Sequence, residues 1–189
     1  MNTSRDQPAN LTRGRGKTSR RAVILDRDGV LNHDHGYVGH ADRWSWIEGA
    51  RRAVRRLNDA GVLVIIATNQ SGVARGFFTE TDVSALHGLM EADLAAEGAR
   101  VDAVYVCPFH SEATQAHYAH PDHPDRKPNP GMILRALADF HVAADQAVVI
   151  GDKESDLEAA RRAGVRALKF DGGNLDAFVC RQLADLLAK

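Results

Sequence analysis

The chain has 189 residues, of which 44% are hydrophobic and 26% charged, enough for a core and typical of soluble globular proteins. Its formal net charge of −1 gives no general attraction to nucleic acid or acidic membranes, and no apolar run approaches bilayer length. Two cysteines far apart, Cys107 and Cys180, do not suggest a disulfide framework, so a reducing cytoplasm is the expected setting.

Residues 1–21, "MNTSRDQPANLTRGRGKTSRR", carry six Lys/Arg and one Asp. With almost no large apolar residue they are expected to form a flexible basic tail rather than a secretory signal. Gly16-Lys17-Thr18 ends like a P-loop, but Leu11 stands where the first glycine belongs and no strand precedes it. Residues 22–189 are expected to form a single domain. Residues 22–26 read as a short buried strand. Over 49–60, Ala50, Ala53, Val54 and Leu57 recur at helical spacing, with Arg51, Arg52, Arg55 and Arg56 on the wet face. A second buried strand follows at 62–67, and a helix at 79–97 opens with a Thr79–Asp82 cap. A third strand, 101–107, leads into a loop rich in His and Pro that runs to Pro128. Asn129-Pro130 is expected to cap a helix to about residue 139. A strand at 147–151, a helix at 154–163, a strand at 165–170 and a helix at 176–189 complete the chain. Apolar strands alternating with helices predict an α/β fold, a doubly wound, mainly parallel five-stranded sheet covered on both faces.

Such sheets bind ligands beyond the carboxyl ends of their strands. The first predicted strand ends in Asp26-Arg27-Asp28, the second in Thr68-Asn69-Gln70, and the fourth in Gly151-Asp152-Lys153 with Asp156 one turn on; Arg126-Lys127 precedes the fourth helix. Two carboxylates at the end of a buried strand cost free energy unless a cation or a substrate sits between them. Asp26, Asp28 and Asp152 near a lysine suit a hard cation such as Mg²⁺. A metal, a lysine and hydroxyl or amide donors are what a phosphoryl group in transfer needs. Asp26 is then the candidate nucleophile. Asp28 is the candidate acid and base, protonating the leaving oxygen and later accepting a proton from water.

In order and spacing these motifs resemble those of the haloacid dehalogenase superfamily. "DRDGVLNHDHGYV", "TNQSGVARGFFTE", "RKPNPGM" and "GDKESDLEAA" are similar to its branch of heptose bisphosphate and histidinol-phosphate phosphatases, over about residues 22–170. The resemblance implies a Rossmann-like core with a minimal cap. It makes Asp26 the nucleophile and Asp28 the general acid/base, with Mg²⁺ on Asp26, the Asp28 backbone carbonyl and Asp152. Thr68, Asn69 and Lys127 would bind the phosphoryl group, assisted by Arg126 and Lys153. The implied substrate is a small phosphorylated sugar, a heptose bisphosphate losing its C7 phosphate in nucleotide-heptose synthesis for surface polysaccharide. Histidinol phosphate is the alternative. No nucleic-acid or membrane partner is expected, and the chain is expected to act as a cytoplasmic monomer. Asp156 fits either the motif or a first-turn dipole partner, and Arg75 either a substrate contact or a surface charge.

Members of that branch often carry a structural zinc site, Cys-x-His followed by Cys-x-Cys. Here Cys107-Pro108-Phe109-His110 is followed, after twelve residues, by His123-Pro124-Asp125. Cys107, His110, His123 and Asp125 are all admissible zinc ligands; a metal-free loop is the preferred reading. His33, Asp34, His35 and His40 are expected to contact substrate or solvent. Trp44 and Trp46 are expected to anchor their loop. A receiver-type signalling domain also pairs an acidic Mg²⁺ pocket with Thr and Lys, but carries its phosphorylated Asp after the third strand, where this chain has Cys107-Pro108.

Overall fold

The computed structural model describes residues 20–187, so the tail expected over 1–21 lies, apart from Arg20 and Arg21, outside the described residues. Strands β1 (Ala22–Leu25), β2 (Leu63–Asn69), β3 (Ala103–Cys107), β4 (Ala147–Gly151) and β5 (Arg166–Lys169) form one parallel sheet in the order β3-β2-β1-β4-β5. The connecting helices are α1 (Ala50–Asp59), the single-turn α2 (Ser71–Ala74), α3 (Glu80–Ala96), α4 (Gly131–Phe140) and α5 (Glu154–Arg162). Helices α6 (Leu175–Gln182) and α7 (Ala184–Leu187) follow β5.

Successive strand side chains point to opposite faces, and both faces are covered. Val23, Leu25, Val64, Ile66, Val148 and Ile150 pack with Val54 and Leu57 of α1, Met90 and Leu94 of α3, and Val179 of α6. Ala22, Ile24, Ile65, Ala67 and Val149 pack with Met132, Ile133 and Ala136 of α4 and Ala159 and Ala160 of α5. Each fully buried Val, Leu or Ile contributes about 1.5–3 kcal/mol, which explains why these strands read as unbroken apolar runs. Because α1 and α3 cover one face and α4 and α5 the other, the winding reverses between β1 and β4. A crevice opens there at the carboxyl ends of the strands.

Thr79 caps α3 as expected: its hydroxyl accepts from Asp82 N–H at 3.1 Å while the Asp82 carboxylate accepts from Thr79 N–H at 2.8 Å. Two expectations are corrected. The C-terminal helix breaks at Leu183, whose fully buried side chain is drawn into the core between α6 and α7. Pro130, not Asn129, holds the N-cap position of α4; the Asn129 side chain instead bonds Asp122, the His123 carbonyl and Arg162. Between β1 and α1 the chain makes one short 3-10 turn, Ala41–Arg43, consistent with a minimal cap. Trp44 and Trp46 pack edge to face, 5.1 Å between ring centroids, against the α1 side of the core. Trp46 Nε1 donates to Asp93 at 2.8 Å, so the pair anchors the loop.

Candidate active site

The parallel register sets Leu25 beside Ile66 and Ile150, and the next residue, Asp26, lines the crevice. Asp26 N–H donates to the Ile150 carbonyl at 2.9 Å, which fixes the first carboxylate beside the β4 end. Lys127 reaches it from the loop before α4. Its Nζ lies 2.9 Å from Asp26 Oδ1 and 2.6 Å from Asp156 Oδ1, and donates to the Ala67 carbonyl at 2.8 Å. All three side chains are buried. Burial disfavours the ammonium, but Asp26 and Asp156 outweigh it and raise the Lys127 pKa. Asp156 serves both readings the sequence allowed: it pairs with Lys127 and accepts from Lys153 N–H at 3.0 Å at the start of α5.

Carboxylate oxygens of Asp26, Asp152 and Asp156 come within 4.8 Å of one another, the one such grouping of three or more acidic, His or Cys side chains among the described residues. Burial, reinforced by the Asp26 and Asp156 charges and opposed by Lys153, pushes the Asp152 pKa up to about 6. Asp152 Oδ1 is buried without a hydrogen-bond partner. Three carboxylates facing one buried ammonium, with an unsatisfied oxygen among them, are the donor set of a hard divalent cation. Two glycines make room for it. Gly29 has φ +94°, and a Cβ there would lie 2.3 Å from Asp152 Oδ2; one on Gly151 would lie 2.2 Å from Asp156 Cβ.

The Asp28 side chain is not part of that grouping and has partners of its own. Its Oδ1 accepts from Arg27 Nη2 and Asn32 Nδ2, both at 2.9 Å, and its Oδ2 accepts from Arg27 Nη2 at 2.9 Å and Gln70 Nε2 at 2.8 Å. Gln70 also donates to Thr68 Oγ1 at 2.9 Å. Asp26, Asp28, Lys127 and Asp156 line a cavity of about 240 Å³ together with Asn69, Gln70, Ser71, Phe78 and Lys153. Asn69 orients more than it reaches out: its amide donates to the Lys127 carbonyl at 3.0 Å and accepts from Lys127 N–H at 3.1 Å. Lys153 Nζ closes one wall through Asp34 at 2.8 Å. Burial works against Asp34 ionising, but Lys153 and the Gly36 N–H hold its pKa below the usual value.

Tyr37 forms part of the rim, its half-exposed ring 4.7 Å from that of Phe77. Arg126 is not brought to the cavity lining; it donates to the Phe109 carbonyl at 3.1 Å. Arg75 likewise pairs with Glu112 at 2.7 Å, its guanidinium 6.0 Å from the centroid of Tyr37. The four zinc candidates do not converge either. His123 stacks on Phe109 at 3.9 Å and accepts from Asp125 N–H through Nδ1, while Asp125 pairs with Arg135 at 3.0 Å and His110 Nδ1 accepts from Glu112 N–H. The Nδ1 atoms of both histidines thus serve the loop's own backbone, and the Asp125 carboxylate faces α4. Sequence reading missed Asn32 and Gln70 as partners of Asp28, and it gave Arg27 no role.

A family model described as HAD-hydrolase-like matches residues 125–185. The chain is 47% identical over 168 residues to a D-glycero-beta-D-manno-heptose-1,7-bisphosphate 7-phosphatase of Rhodopseudomonas palustris, covering 88% of this chain and 92% of the relative. This chain belongs to the haloacid dehalogenase superfamily. It is a phosphatase by that kinship. A D-glycero-alpha-D-manno-heptose-1,7-bisphosphate 7-phosphatase of Burkholderia mallei is 42% identical, with 77% of this chain and 76% of the relative covered. Among solved structures, the D,D-heptose 1,7-bisphosphate phosphatase of B. bronchiseptica complexed with magnesium and phosphate superposes with a TM-score of 0.72. It is 35% identical, over 85% of this chain and 86% of that one.

Proposed function

We infer that this enzyme removes the C7 phosphate of a D-glycero-D-manno-heptose 1,7-bisphosphate by way of a phosphoryl group carried on Asp26. The observation that carries this reading is Lys127, buried between Asp26 and Asp156 beside the unsatisfied Asp152 oxygen. The heptose assignment draws on the named relatives and on the resemblance of the loop motifs to that branch of the superfamily. Removal of this phosphate, in the cytoplasm and toward nucleotide-heptose for surface polysaccharide, is the setting that fits the family. Among the described residues, no helix is long and apolar enough to cross a membrane.

In the first step the Asp26 carboxylate attacks phosphorus, and the bond to the sugar oxygen breaks. Asp28 gives that oxygen its proton, so the sugar leaves as an alcohol. Lys127 and the Thr68 hydroxyl bind phosphoryl oxygens, and Asn69 keeps Lys127 in place. In the second step Asp28 takes a proton from water, which attacks the acyl phosphate and regenerates Asp26. Asp26, Asp152 and the Asp28 carbonyl would hold Mg²⁺, which when bound would supply positive charge against the charge that develops on the phosphoryl oxygens. The buried Asp26–Lys127–Asp156 arrangement holds the nucleophile in place before substrate arrives.

A kinetic panel with Mg²⁺ tests the reading: both anomers of heptose bisphosphate, histidinol phosphate and common hexose phosphates. The heptose bisphosphates should show kcat/KM at least about tenfold above histidinol phosphate, a modest margin for loop-borne discrimination. Equal values or the reverse order would defeat the substrate assignment and leave the chemistry standing.

A further inference from the structure

Arg27 lies between the two catalytic-site aspartates in sequence, yet its side chain is fully buried and points away from the cavity. A buried guanidinium needs every donor engaged. Nε and Nη2 grip both oxygens of Asp28, Nη2 also reaches the Val38 carbonyl, and the group packs 6.0 Å from the centroid of Trp44. The remaining nitrogen, Nη1, lies 3.1 Å from His87 Nε2. A guanidinium can only donate, so His87 accepts with a bare Nε2 and carries its proton on Nδ1. His87 sits in the middle of α3, buried at the floor of a surface groove of about 500 Å³ lined also by Glu80 and Glu91. The line His87–Arg27–Asp28 therefore joins a helix on one face of the sheet to the acid/base group.

We propose that His87 is a positioning residue for catalysis, anchoring Arg27 so that Arg27 aims the Asp28 carboxylate at the leaving oxygen. This rests on the reading of Asp28 as general acid. Without the His87 acceptor, Nη1 loses its buried partner and the guanidinium shifts toward the groove to find water, drawing Asp28 with it. Misplacement of an acid by about an ångström costs on the order of 100-fold where a proton must be delivered. It costs little where the leaving group departs as a stable anion. A merely structural role for His87 would impair both kinds of substrate alike.

The test compares kcat/KM, which reports steps up to phosphoryl transfer, for an alkyl phosphate and for dinitrophenyl phosphate, whose leaving group needs no proton. His87→Leu should lose about 10- to 100-fold on the alkyl phosphate and far less on the aryl one. His87→Gln, whose amide oxygen can accept from Arg27, should restore most of the loss. His87→Asn, too short to reach Arg27, takes the place of the leucine variant if that chain does not fold. Asp28→Asn is the control and should show the same alkyl-selective loss, only larger. If Asp28→Asn shows it and the His87 variants lose both substrates equally or neither, the positioning role is overturned. If Asp28→Asn does not discriminate, the acid assignment of Asp28 falls instead.

Discussion

Neutral His87 makes folding stability depend on pH in a way that can be worked out. Burial, with Arg27 as a secondary cause, pushes its pKa from an ordinary 6.5 down to about 4. Arg27 is the charged group in contact with the ring; the adjoining groove carries Glu80 and Glu91 of α3, and β3 contributes Val104 and Val106. Below pH 6.5 the unfolded chain protonates this histidine while the folded chain does not. Between about pH 4 and 6.5 the unfolded state thus holds more protons, and stability rises with pH. The difference of about 2.5 pH units, at about 1.4 kcal/mol each, comes to about 3.5 kcal/mol. That stability is fully present above pH 6.5 and is lost as the pH falls toward 4. Urea unfolding of wild type and His87→Gln, both at a series of pH values from 7.5 down to 4, isolates the contribution, since other acid-sensitive groups cancel in the difference. Wild type should lose about 3.5 kcal/mol more than the glutamine variant over that range. Parallel profiles would show that the ring does not stay neutral against Arg27, and the buried Arg27–His87 contact would have to be abandoned.

Gly29→Ala should fold less stably by about 1–3 kcal/mol, because of its positive φ, and should lose nearly all Mg²⁺-dependent activity as its methyl displaces Asp152; normal metal titration in this variant would contradict the packing of that site. Asp152 needs its proton removed to hold a cation, and its pKa in the metal-free protein is about 6. Calorimetric Mg²⁺ affinity should therefore weaken on going from pH 7 to pH 5, approaching roughly tenfold per unit below 6; an affinity flat with pH would exclude Asp152 as a ligand. Asp176, held below its usual pKa mainly by the hydrogen bond from Arg56, joins α6 to α1. Its contribution is present above about pH 4 and is lost as the pH falls below that. With Arg56 partly exposed, Arg56→Ala should cost no more than about 1 kcal/mol and leave kcat unchanged, as thermal melts and assays would show.

Much of this architecture was legible because the strands are buried on both faces and spell out as apolar runs, while the helices alternate on a wet arginine-bearing face. The polar residues that end those runs, Asp26, Thr68 and Asp152, were legible for the same reason: a parallel sheet delivers all its strand ends to one rim. What the sequence hid depends on long-range contacts. Arg27 looks like a surface residue between two aspartates, and only the fold brings the Val38 carbonyl, Trp44 and His87 around it. The single helix expected over 176–189 concealed a break at Leu183, where core packing outweighs helical continuity. At the histidine-rich loop, residue types admissible for zinc also bond backbone N–H groups and Arg135, a use that composition cannot distinguish from metal binding.

The central claim, that Asp26 itself carries the phosphoryl group, has a direct measurement. Enzyme turning over heptose bisphosphate with Mg²⁺ is quenched in acid, digested and weighed by mass spectrometry. A phosphoryl increment on the peptide containing Asp26, absent from Asp26→Asn together with all turnover, is the expected result. Undiminished turnover in Asp26→Asn, or an increment confined to another residue, would contradict it.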